Sequence, residues 1–107
     1  MSKENGHKYK TEFLDKVKEF IQKLTIENQG KVAANINAIR MGQFGSVYIK
    51  TLKGAIKELL VKNYRFIFFI EKHIIYFVSA FIKKTQKAPK QEIENAEKIY
   101  KIIKKIK

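Results

Sequence analysis

The sequence predicts an α+β domain: two N-terminal helices, a four-stranded antiparallel sheet and one C-terminal helix. Three features predict it. Apolar residues recur every three or four positions up to about residue 41, strand-like runs replace that pattern after Gly45, and a helical period returns after Pro89.

From Thr11, the residues Phe13, Val17, Phe20, Ile21 and Leu24 form one stripe, with Asp15, Lys16, Lys18, Glu19 and Lys23 between them. That spacing predicts an amphipathic first helix. Val32, Ile36 and Ile39 share a face of a second helix over residues 30–41, which Gly42 and Gly45 end. The break at Asn28-Gln29-Gly30 is short, so the two helices are expected to form a hairpin. Residues 46–52 read as a first strand, Gly54 as a turn, and 56–62 as a second strand. Residues 64–71 and 73–82 are rich in aromatic and β-branched side chains, as strands prefer. The tight Glu71-Lys72 connection pairs them as a hairpin. Helices are expected on one face of this sheet, while the nearly unbroken apolarity of its last two strands implies at least partial cover on both. Pro89 suits a first helical turn, where its missing N–H costs nothing. Glu92, Glu94 and Glu97 come early in the last helix and Lys101, Lys104, Lys105 and Lys107 late, matching the helix dipole at both ends. Ile93, Ala96, Ile99, Tyr100, Ile103 and Ile106 supply its apolar stripe.

A chain of 107 residues forms one domain with one modest core, and residues 1–10 are expected to be loose. Lysine and arginine number 23 against 10 acidic residues, a net charge of +13. Such a field attracts polyanions, and RNA, DNA, the ribosome, acidic membrane and acidic protein partners all stay open. The absence of cysteine excludes disulfides and thiolate metal sites. Two histidines, His7 and His73, are too few for a histidine-based metal site, so neither metal nor cofactor is expected. Residues 64–82 are the most apolar stretch, but they carry Arg65, Glu71, Lys72 and His73, which a membrane span tolerates poorly. No secretory leader pattern opens the chain, and a cytoplasmic protein is expected. No Gly-rich phosphate loop or Ser-His-Asp set is present.

The segment Phe81-Ile82-Lys83-Lys84-Thr85-Gln86-Lys87-Ala88-Pro89-Lys90-Gln91-Glu92-Ile93 resembles the F-x-K-K-T-Q-K-T-P-x-x-E-I segment of HigB-like toxins, a phage-derived branch of the RelE/ParE superfamily of type II toxin–antitoxin systems. Upstream, Glu58-Leu59 followed by Asn63-Tyr64-Arg65 resembles that family's E-L-R-x-x-x-Y-R strand pair, and Tyr48-Ile49-Lys50-Thr51-Leu52-Lys53 its Y-x-K-x-L strand. Phe13-Leu14-Asp15 resembles the end of its first helix. The resemblance covers roughly residues 12 to 100. It implies a RelE-like fold and metal-independent cleavage of mRNA on the ribosome. It also implies a helix-turn-helix, HigA-like antitoxin as partner, whose complex with the toxin binds promoter DNA. The family opens with a strand before its first helix, for which there is barely room here: either the start is truncated or residues 7–11 serve as that strand. Leu60 stands where the family has arginine, Ser79 where it often has histidine or asparagine, and Ala88 where it has threonine. A degenerate homologue that only binds antitoxin or ribosome is therefore the alternative to the endoribonuclease.

Metal-free RNA cleavage needs an activated 2′-hydroxyl, charge stabilisation on the phosphorane and a departing 5′-oxygen. Arg65 matches the family's Tyr-Arg pair, and strand alternation puts it opposite Tyr64, Phe66, Phe68 and Ile70. It is the expected phosphate clamp, because a guanidinium binds phosphate bidentately. Lys83, on the side of Ser79 and Phe81, is the candidate for a charge or general acid at the scissile phosphate. Lys62, two residues after Leu60, is a candidate to replace the missing arginine's charge. Lys84, Lys87, Lys50 and Lys53 are expected to contact RNA backbone or ribosomal RNA, and Tyr64 to stack on a base or to serve the core.

Overall fold

A computed structural model describes residues 8–84 and 88–106. The order is β1 (Lys10–Phe13), α1 (Asp15–Gln22), α2 (Ile26–Arg40), a 3-10 turn (Phe44–Ser46), β2 (Tyr48–Lys53), β3 (Ile56–Val61), β4 (Tyr64–Glu71), β5 (Ile74–Ile82) and α3 (Lys90–Ile106). The fold is α+β with three helices, as the periodicities predict. The sheet has five strands rather than four and is mixed rather than purely antiparallel, in the order β1-β5-β4-β3-β2.

The added strand is β1, which runs parallel to β5 with Lys10 opposite Ile74 and Phe13 opposite Phe77. Residues 11–13 therefore belong to a strand and not to the first helix. Phe13 lies four residues before Val17, a spacing that suits a helix, and a strand of four residues is too short to show its own period. Pairing decides the matter: the Phe13 ring stacks on Phe77 at 5.1 Å, and Leu14 N donates to the Phe77 carbonyl at 3.1 Å. Nor are residues 8–10 loose. Lys8 N and Tyr9 N both donate to the Arg40 carbonyl, and the Tyr9 ring meets Phe44 edge-on.

The helical hairpin breaks earlier than Gly30. Thr25 caps α2, its hydroxyl oxygen accepting from Asn28 N at 3.2 Å. Gly30 lies inside that helix with open space around its Cα, so it costs helix propensity without ending the helix.

Helices cover both faces of the sheet, not one. On the first face Val17 of α1 and Val32, Ile36 and Ile39 of α2 pack over Leu59, Phe66, Phe68 and Phe77. On the second, Ala96 of α3 packs over Ile56, Ile67, Phe69 and Val78, flanked by Ile99, Tyr100 and Ile103. This two-sided burial explains the unbroken apolar run of β4, whose alternate side chains enter different cores.

β5 carries one irregularity. Ile67 pairs with Ser79, but the next residue, Phe68, pairs with Phe77, so Val78 is extra. Val78 and Ser79 both turn toward α3, whereas Phe77 and Ala80 face α1 and α2. This β-bulge moves every later residue of β5 to the opposite face from the one simple alternation would give it.

Phe66 is fully buried and meets Phe20 of α1 edge-on at 5.8 Å. Phe66→Ala is expected to destabilise the fold by about 3–5 kcal/mol, read as a lower urea midpoint at unchanged slope.

Candidate functional site

The two-residue turn between β3 and β4 fixes the neighbourhood of Arg65. Lys62 adopts φ 56° there, a left-handed conformation costly for a side chain with a Cβ. Its carbonyl accepts from Arg65 Nη1 at 3.0 Å, and the Tyr64 carbonyl accepts from the same nitrogen at 2.8 Å. The Asn63 carbonyl accepts from Lys83 N at 2.8 Å, which extends the sheet ladder past the end of β5. One turn thus orients the guanidinium and anchors the backbone of the lysine pair.

Beside this turn lies an open cleft of about 620 Å³. Its charged lining is Lys50 of β2, Glu58 of β3, Arg65 of β4, and Lys83 and Lys84 after β5. Phe20, Phe81, Ala88 and Pro89 supply apolar wall. Arg65 is only 7% exposed, yet among the described residues no carboxylate pairs with it. A buried guanidinium without a counter-ion is costly unless an anion completes it. Four cations against one carboxylate give the cleft a net positive charge, which attracts anions. No group of three or more His, Cys, Asp or Glu among the described residues could hold a metal ion. No helix of the structure is long and apolar enough to cross a membrane.

The cleft brings together Arg65, Lys83, Lys84 and Lys50 of the residues singled out in the sequence. It does not gather the others. Lys62 is in the turn and not in β3, so strand alternation does not govern it; its Nζ donates to Asn28 Oδ1 at 3.0 Å, toward α2. Tyr64 belongs to the face covered by α1 and α2, where its hydroxyl accepts from Asn28 Nδ2 at 2.9 Å and its ring meets Phe20. Lys53 pairs with Glu97 of α3 at 3.4 Å, in a groove adjoining the cleft and shared with Lys50. Lys87 lies outside the described residues.

Sequence reasoning missed Glu58 as a site residue. It noted the residue only within a motif, although alternation from Ile56 places an acid at an inward position. The residue as a whole is 3% exposed. Glu92, read as a dipole-matching residue, has a second task. Its Oε1 accepts from the buried Ser79 hydroxyl and from Lys16 Nζ at 3.4 Å, which ties α3 to β5 and α1 just beyond the cleft wall.

A family model described as "Phage derived protein Gp49-like (DUF891)" matches residues 19–101. No curated protein matches the chain at a significant level.

Ser79→Ala removes a buried hydrogen bond to the Glu92 side chain. The expected loss is about 1–3 kcal/mol of stability, measurable by chemical denaturation, with faster amide exchange in the first turn of α3.

Proposed function

The chain belongs to the phage-derived Gp49-like family, and from that premise we propose that it is the toxin of a type II toxin–antitoxin pair, an endoribonuclease that cuts mRNA on the ribosome. Its subtype is HigB-like, in keeping with the Lys-Lys-Thr-Gln-Lys segment before α3. The observation that carries the reading is the nearly buried Arg65, clamped by two carbonyls and without a carboxylate partner among the described residues, in one cleft with Lys83 and Lys84.

In the proposed reaction a ribose 2′-oxygen attacks the adjacent phosphorus. The 2′-O–P bond forms as the P–O5′ bond breaks, which leaves a 2′,3′-cyclic phosphate and a 5′-hydroxyl. Arg65 binds the non-bridging oxygens and stabilises the charge that grows on them. Its carbonyl clamp means that little reorganisation is needed at the transition state. Lys83 protonates the departing 5′-oxygen. Lys84 and Lys50 hold flanking backbone phosphates as point charges. Phe81 and Pro89 offer the ribose and base an apolar wall.

The partner is a helix-turn-helix, HigA-like antitoxin whose acidic segment neutralises the cleft, and the joint complex binds promoter DNA. A second reading, a homologue that binds ribosome or antitoxin without cutting, draws on Leu60. It lies directly across from Arg65 and is apolar where the resembling toxins carry arginine.

Inducing the wild-type chain is expected to arrest growth and leave cut messages on translating ribosomes. Arg65→Ala should lower the cleavage rate by about 10²–10³-fold and relieve the arrest, with an unchanged circular-dichroism spectrum. A wild-type chain that is harmless and leaves mRNA whole would establish the non-cutting reading instead.

A further inference from the structure

Phosphate binding explains the lysines and arginine of the cleft but leaves Glu58 without a role. Its side chain is almost fully buried in the middle of β3, opposite Lys50 on one side and Ile67 on the other. Among the described residues nothing donates a hydrogen bond to its carboxylate, and no cation stands within ion-pair reach of it. It is the one carboxylate among the residues that line the cleft. It also repels the phosphate that its neighbours attract. Phosphate affinity alone would favour a neutral residue at this position, so the acid needs a chemical reason.

Position supplies one. Leu60 pairs with Arg65 and Glu58 with Ile67, so Glu58 and Arg65 are diagonal neighbours on the face beneath α3. Such neighbours stand about 7–8 Å apart along the sheet. That gap admits one ribose–phosphate linkage, with its phosphate on the guanidinium and its 2′-hydroxyl toward the carboxylate.

We propose that Glu58 is the general base, accepting the 2′-hydroxyl proton as the 2′-oxygen attacks phosphorus. This rests on the endoribonuclease reading above. The proton leaves the 2′-oxygen for the Glu58 carboxylate, the electron pair it leaves forms the O–P bond, and the 5′-oxygen departs with a proton from Lys83. Base and acid come from separate segments that line one cleft, Glu58 from β3 and Lys83 from the residues after β5.

The test uses the full chain on ribosomes programmed with a short mRNA, under single-turnover conditions. Glu58→Gln should cut about 10²–10⁴-fold more slowly, while binding the mRNA–ribosome complex as tightly as wild type or tighter, because a negative charge has left the cleft. A structural glutamate would lose rate and binding together, and that result overturns the proposal. So does a rate within about threefold of wild type. A second substrate, the same mRNA with a bridging 5′-sulfur at the scissile bond, separates base from acid. Its better leaving group should restore Lys83→Ala and not Glu58→Gln; restoration of both overturns the assignment. If Glu58→Gln does not fold, Glu58→Asp carries the test. Its carboxylate sits one methylene back, so cleavage should fall by about 10²-fold at unchanged binding, and full rate overturns the proposal. A wild-type chain that cuts neither substrate brings down the endoribonuclease reading itself, whereas a wild type that cuts while Glu58→Gln cuts equally well brings down the base alone.

Discussion

The Lys62–Asn63 turn is the constraint on which the rest of the cleft depends. Its two carbonyls hold the Arg65 guanidinium on one side and the Lys83 backbone on the other. It is itself tied to the helical layer, since Lys62 Nζ and the Tyr64 hydroxyl both meet the Asn28 side chain of α2. Asn28 stands in the first turn of α2, a position fixed by the Thr25 cap. A chain of short polar contacts thus runs from a helix start, around the sheet end, to the buried cation. The backbone strain at Lys62 has a use in this setting, because that conformation presents a carbonyl where the guanidinium needs one.

The cleft draws its charges from four separate strand regions, so no local segment contains it. Lys50, Glu58, Arg65 and the Lys83–Lys84 pair converge only because β2, β3, β4 and β5 lie side by side in that order. The bulge at Val78 contributes as much as the pairing. It delivers Phe81 opposite Arg65 and brings the Ser79 hydroxyl beneath α3, where Glu92 takes it. Glu92 then fixes the start of the helix that follows Ala88 and Pro89, the outer wall of the cleft. Lysine supplies the flanking charges and arginine the buried one, which suits a point charge in solvent and a planar fork held by carbonyls.

Much of this was legible in the sequence. β4 and β5 announce themselves by aromatic and β-branched density, α3 by its apolar stripe and its graded charges, and the face of Arg65 by alternation from Tyr64 to Ile70. What was hidden has a physical cause in each case. β1 is too short to display a period, and its partner is far along the chain. The bulge is invisible because Val78 and Ser79 obey strand composition while breaking strand geometry. Lys62 was assigned to a strand face that ends one residue before it. Glu58 reads as one letter of a motif, and only the folded sheet places it in the lining of the cleft.

The parallel pairing of β1 with β5 has a consequence for how the protein comes into being. The first strand cannot be completed until the last one exists, and the cleft's Arg65, Lys83 and Lys84 also come from the second half of the chain. A nascent polypeptide that has released only β1 and its two helices carries neither the arginine clamp nor the lysine pair. Pairings between such distant residues form late, after local helices. The cleft is therefore complete only once β5 has joined the sheet, and a fragment that stops short of β5 lacks its lysine pair.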